Sequence, residues 1–260
     1  MLLHKKRPAT FVTKTILLVG IFVLIIITTA AIILPYSSSP DLENNQYYYN
    51  VYAIVEQQAQ NETKDLSIDN LIQQGSPYLG NPLTAPVTII DFSDFQCYLC
   101  ARYVKATEPI IKETYIDTGK VALVFKHLPN RGFDSMGASI AAQCTHEQEK
   151  FWDFHKLLYE NQKPIDSGWV NKENLKKFVA KIHGLDMDRF NACLDSQKYR
   201  SFVEKDIKLG SSFGFQDTPS FVIVNSKDGS SPEMLKGAHP FSSFKAIIDG
   251  KLAEIKNEAQ

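Results

Sequence analysis

Hydrophobic and polar positions divide the chain into distinct stretches. Residues 15–34 are twenty positions without a charged side chain. At ~1.5 Å of rise per residue, a helix of that length crosses the ~30 Å hydrocarbon layer, so the stretch predicts a transmembrane anchor. Residues 35–76 turn polar, rich in Ser, Asn, Gln and Tyr, and read as a linker. Within it Tyr48, Val51, Tyr52 and Val55 recur at helical spacing, so a short amphipathic helix is the alternative there. Gly75-Ser76-Pro77 and Gly80-Asn81-Pro82 are turn chemistry and mark the entry to a domain over 77–260.

Within that domain, short apolar β-branched runs at 87–90, 121–125 and 221–224 read as buried strands, with 234–238 a candidate edge strand. Between 131 and 213 the strand signal disappears and helical stripes take over, which predicts an inserted helical region. Two of its helices carry explicit start signals. Asn171 caps a stripe of Leu175, Phe178, Val179 and Ile182. Asp186 caps the next, with Leu185 and Phe190 as its hydrophobic staple. The chain closes on a helix over 241–255. Strands alternating with helices make the fold class α/β.

Charge adds direction. The 260-residue chain has a formal net charge of −1. Lys5, Lys6, Arg7 and Lys14 all precede the apolar stretch, where no acid occurs, so the remainder carries 24 basic against 29 acidic residues. A mildly acidic domain offers no basic stripe for nucleic acid. The positive-inside rule keeps residues 1–14 cytoplasmic and puts everything after 34 outside. A cleaved signal peptide is the competing reading, with Ser37 to Ser39 as the place to cut, although its apolar region normally runs only about 7–15 residues. Both readings place the domain in an oxidising compartment, where an even number of cysteines is expected to pair. Asn61-Glu62-Thr63 is an N-glycosylation sequon in an exposed context.

The candidate chemistry sits at the end of the first strand. In Asp91-Phe92-Ser93-Asp94-Phe95-Gln96-Cys97-Tyr98-Leu99-Cys100 a strand passes through a polar turn into a segment of helical period. Cys97 falls at the helix start, where unpaired N–H groups and the helix dipole stabilise a thiolate. That predicts an acidic, exposed nucleophile. Cys100, one turn further in, is placed to resolve a mixed disulfide. Asp91 is a carboxylic acid in an apolar strand, costly to bury, and proton transfer at the Cys100 thiol gives it a reason. Asp94, in the turn, reads as solvated, and His127 as a structural histidine. The dull alternatives for Cys97 and Cys100 are an inert disulfide or half of a zinc site. Zinc takes four ligands, and neither Cys144, Cys193, His127, His146 nor His155 is spaced as a second knuckle.

These residues, together with Leu79-Gly80-Asn81-Pro82, Ala85-Pro86-Val87-Thr88-Ile89, Phe125-Lys126-His127-Leu128-Pro129, Phe151-Trp152 and Asp217-Thr218-Pro219-Ser220-Phe221, resemble the DsbA-like branch of the thioredoxin superfamily over roughly residues 77 to 250. The resemblance implies a thioredoxin-like fold with an inserted helical domain, and a thiol–disulfide oxidoreductase that needs no cofactor. It implies a cis Pro219 held against the two cysteines, exposing the backbone of Thr218 to an extended substrate chain. Asp91 matches the buried acid of the superfamily. Some DsbA-like proteins carry a second disulfide in the helical domain, so Cys144 and Cys193 read as a structural pair, with free thiols as the alternative. Such a bond contributes about 4 kcal/mol in the chain-entropy model. The implied partners are reduced exported proteins and a quinone-linked membrane reoxidase of the DsbB or VKOR type. The dipeptide Tyr98-Leu99 departs from the Pro or His usual there, which leaves oxidase, reductase and isomerase open. A tethered binding or chaperone module with an inert cysteine pair is the reading from another class.

Overall fold

The computed structural model describes residues 71–258. The anchor read over 15–34, the amphipathic helix around Tyr48 to Val55 and the sequon at Asn61 lie outside the described residues. None of the described helices is long and apolar enough to cross a membrane.

A five-stranded sheet organises the domain in the order β1-β3-β2-β4-β5. β2 (Val87–Ser93) and β3 (Val121–His127) run parallel, and every residue of both is buried. That accounts for their continuous apolar runs, since a strand covered on both faces does not alternate. The antiparallel strands are β1 (Tyr78–Leu79) beside β3, β4 (Ser220–Asn225) beside β2, and β5 (Glu233–Lys236) at the far edge. β1 lies between the turns at 75–77 and 80–82, and at two residues it is too short for any periodicity. It lies close against β3 because Gly80 adopts φ +70°, and a Cβ there would stand 2.8 Å from the Val121 carbonyl oxygen.

Between β2 and β3 the chain forms α1 (Tyr98–Ala106), then α2 (Glu108–Ile111) and a single π-helical turn over Lys112–Ile116. The helix breaks at Thr107, and Pro109 falls in the first turn of α2, where a missing N–H costs nothing. Gly119 then ends the segment at φ +72°.

Five helices separate β3 from β4: α3 (Ser135–His146), α4 (Phe151–Glu160), α5 (Lys172–Val179), α6 (Met187–Asp195) and α7 (Arg200–Ser212). The side chains of Asn171 and Asp186 accept the backbone N–H groups that open α5 and α6. Cys144 on α3 and Cys193 on α6 are joined by a disulfide. α8 (Phe241–Glu258) closes the chain.

Three apolar clusters hold these layers. Phe125, Phe151, Phe154 and Tyr159 tie the insertion to the sheet; Val87, Ile89, Phe221, Phe244 and Ile248 seat α8; Leu71, Ile90, Phe92 and Val222 fill the opposite face. Leu71 is fully buried, so packing begins inside the stretch 35–76 read as linker.

Candidate active site

The end of β2 delivers the chain to α1 through the turn Asp94-Phe95-Gln96. Cys97 is the residue that caps α1: its sulfur accepts the backbone N–H of Cys100 at 3.4 Å. From across the cleft the Thr218 carbonyl stands 3.1 Å from the same sulfur, and the Thr218–Pro219 peptide is cis. The Cys97 thiol is pulled down to about 6, first by the hydrogen bond from the Cys100 thiol and then, against the opposing effect of burial, by the Thr218 hydroxyl, the Cys100 N–H and the Arg131 guanidinium. Cys100 is pushed well above the usual thiol range by burial and by the neighbouring Cys97 sulfur. Two thiols one turn apart are thus driven in opposite directions. The pair ionises at one sulfur and holds its proton at the other.

Asp91 lies beneath them on β2, wholly buried. Its cross-strand neighbours are Phe125 and Phe221. One carboxyl oxygen accepts the Ser93 hydroxyl at 2.5 Å, and the other has no partner. Burial therefore wins over that one hydrogen bond and, with the Cys97 charge nearby, lifts the carboxyl to about 7. An acid with that value donates or accepts a proton at neutral pH with little penalty either way.

A thioredoxin family profile matches residues 73–249. The chain belongs to the thioredoxin superfamily, in its DsbA-like branch. Among relatives, it is 32% identical over 195 residues to the "probable disulfide bond formation protein D" of Bacillus cereus, covering 74% of this chain and 86% of that one. It is 29% identical over 181 residues to the disulfide bond formation protein D of Bacillus subtilis, covering 69% and 78%. Among solved structures, oxidised BdbD from Bacillus subtilis aligns with a TM-score of 0.62 at 27% identity, over 69% of this chain and 94% of that chain. The alpha-DsbA1 of Wolbachia pipientis aligns with a TM-score of 0.64 at 26% identity, over 73% and 96%. The activity of the chain is that of a protein-disulfide oxidoreductase.

Two expectations need correction. Cys97 is not exposed: only 1% of its surface reaches solvent. The cause lies far along the chain. Thr218 covers the sulfur, and Gln162, just after α4, donates to the carbonyls of Phe95 and Cys97 and pins the turn. The exposed member of the motif is its neighbour Tyr98, at 69%. Asp94 is not solvated but fully buried. Its carboxylate accepts the N–H groups of Gln96, Asn130 and Arg131 and the Ser135 hydroxyl, so it clamps the loop after β3 onto the active-site turn. His127 donates or accepts at one ring nitrogen with Gln143 and is driven to about 3 by burial, so it stays neutral.

Two residues were missed as contributors. Arg131 donates to Thr218 and Asp217 beside the sulfur, and nothing in Asn130-Arg131-Gly132 announces it. Glu108, at the break after α1, is driven to about 8 by burial and by the Asp91 charge. Among the described residues, no three His, Cys, Asp or Glu side chains are grouped to hold a metal.

Proposed function

We propose that this protein is a membrane-anchored extracytoplasmic oxidant that introduces disulfides into exported proteins through Cys97 and Cys100. The carrying observation is the placement of Cys97 as the cap of α1, where its sulfur accepts the Cys100 N–H at 3.4 Å and its thiol is lowered to about 6. Whatever stabilises the thiolate stabilises the reduced enzyme relative to the disulfide. That makes the disulfide eager to leave and the enzyme oxidising.

In the forward reaction a substrate thiolate attacks the Cys97 sulfur of the Cys97–Cys100 bond. The electron pair of that bond goes to Cys100, which takes a proton from Asp91. The second substrate thiolate then attacks the substrate sulfur of the mixed disulfide. The bond from that sulfur to Cys97 breaks with its electron pair on Cys97, and the substrate departs as a disulfide, leaving both electrons on the reduced enzyme pair. Thr218 and Pro219 present an extended backbone edge to the substrate chain. Cys144 and Cys193 keep a structural role. The apolar stretch 15–34 serves as a single-pass anchor with the N-terminus cytoplasmic. That anchor holds the domain near a quinone-linked reoxidase of the DsbB or VKOR type, which takes the two electrons away. The names of the Bacillus relatives, disulfide bond formation proteins, support the oxidase direction.

A reductase would have the same fold and differ in potential. Equilibration of the full chain with glutathione should give a Cys97–Cys100 potential between the roughly −270 mV of thioredoxin and the roughly −120 mV of DsbA. The bracket follows from a Cys97 value between their reactive thiols, at about 7 and about 3.5. A potential at or below thioredoxin's assigns the protein to reduction.

A further inference from the structure

Reduction of the disulfide leaves Asp91 charged until reoxidation takes the proton back from Cys100, and Asp91 has no exposure of its own through which to exchange it. Beside it lies a second set of buried polar atoms without protein partners: Tyr103 Oη, Glu108 Oε2 and His155 Nε2, in addition to Asp91 Oδ2. They come from three elements that meet on one face of the sheet. The two neighbours of Asp91 on adjacent strands locate the set. The His155 ring on α4 packs against Phe125 with centroids 5.5 Å apart, and the Tyr103 ring on α1 packs against Phe221 at 4.7 Å. Glu108 enters the same seam from the start of α2, with Oε2 4.0 Å from His155 Nε2.

Unpaired polar atoms in a core cost about 1–3 kcal/mol each, and four in one seam make a poor packing solution. Glu108 differs from the other three: its side chain keeps 12% of its surface in solvent while Oε2 points inward. It therefore connects bulk water to the seam. We propose that Glu108 is a positioning acid of the redox centre, holding a proton at neutral pH and returning it to Asp91 each time Asp91 has protonated the Cys100 sulfur. This inference rests on the oxidoreductase mechanism above and adds to it the route by which the buried acid is recharged.

The surrounding titratable groups favour a neutral Glu108. His155, the nearest, is driven to about 3 by burial and supplies no positive charge, and His127 stands behind it in the same neutral form. Tyr103 and Tyr159 are pushed well above the ordinary phenol range by burial. Asp91 ionises near 7, one unit below Glu108, and its charge is a reason that Glu108 keeps its proton. At pH 7 to 8 Glu108 is thus the protonated neighbour of a carboxylate that has just lost its proton. The step balances over the cycle: on reduction Glu108 passes one proton to Asp91 and takes one from solvent, and on reoxidation the proton that leaves Cys100 goes out through the same two acids.

The test is stopped-flow reduction of the oxidised full chain by dithiothreitol, followed by tryptophan fluorescence from pH 6 to 9 and corrected for the thiolate fraction of the reductant. The wild-type rate should hold to about pH 8. In Glu108→Gln it should decline from about pH 7, leaving the variant about tenfold slower at pH 8, the size of a one-unit displacement, and within twofold at pH 6. Superimposable profiles, or slowing by one factor at every pH, would overturn the proposal and leave the oxidoreductase mechanism standing. Failure of the wild type itself to react would instead overturn that mechanism. Should Glu108→Gln not fold, the infrared C=O band of a buried carboxylic acid decides in the wild type. Two such bands are expected, that of Asp91 titrating near pH 7 and a second titrating near pH 8; a second band near pH 8 supports the proposal, and loss of all buried carboxylic-acid absorption by the Asp91 titration overturns it.

Discussion

Replacing Cys97 by serine should reduce oxidation of a dithiol peptide to the uncatalysed background, because a hydroxyl can neither accept a thiolate at sulfur nor store the two electrons of the exchange. Replacing Cys100 by alanine should give a different defect. Cys97 remains, and the helix N-terminus still offers its sulfur an N–H, since the Cys100 backbone donor survives the change. Turnover should stop, but the variant should attack a disulfide-bearing partner and stay joined to it. The covalent complex should be visible on non-reducing gels and disappear with reductant. The acidity of Cys97 should also fall in this variant, because the Cys100 thiol is the first cause of its shift. Trapping should therefore be strongest above pH 7. If Cys97→Ser kept its cellular role, the protein would be a binding module with an idle cysteine pair.

The second large effect concerns Asp91. Its carboxyl titrates near 7 in the folded protein, against an ordinary value of 3.8. Between those values the folded state binds more protons than the unfolded chain, so stability falls as pH rises from about 4 through 7. Asp91→Asn removes that dependence. The variant should be more stable than wild type by about 2–4 kcal/mol at pH 8, with the difference closing toward pH 4. The lower figure allows for an amide N–H left without a partner. Catalysis should move the opposite way. Cys100 is a weak acid and hence a poor leaving sulfur, so loss of its proton donor should slow reduction of the oxidised enzyme about a hundredfold. Urea unfolding across pH, beside stopped-flow kinetics, measures both. A variant less stable than wild type at pH 8 would mean that Asp91 is a structural acid paired in some other way.

How much of this was legible in the sequence depends on how far along the chain each cause lies. The strand at Val87, the caps at Asn171 and Asp186, and the helix-start position of Cys97 each follow from residues a few places apart, and the structure has all of them. What required the fold was contact between distant segments. Asp94 is buried because the loop at Asn130 and Arg131, 36 and 37 residues on, bonds to it. Cys97 is covered because Thr218, 121 residues on, closes over it. Glu108 carries no local mark of its surroundings, which His155 supplies from α4. Local pattern located the reactive pair, and long-range packing set its exposure and its proton supply.

Burial of Cys97 and its acidity pull against each other in any experiment that uses accessibility as a proxy for reactivity. Donation of the thiol proton to the Thr218 carbonyl at 3.1 Å favours the neutral form, yet the donors on the other side outweigh it. The sulfur should therefore alkylate slowly for a thiolate while keeping a thiolate's pH dependence.

The most direct measurement is the rate of alkylation of reduced Cys97 by iodoacetamide in the folded protein from pH 4 to 10, with the modified residue located by mass. A single titration with a midpoint near 6, at Cys97 and not at Cys100, is the predicted result. A midpoint near 9, or modification of Cys100 ahead of Cys97, would contradict it.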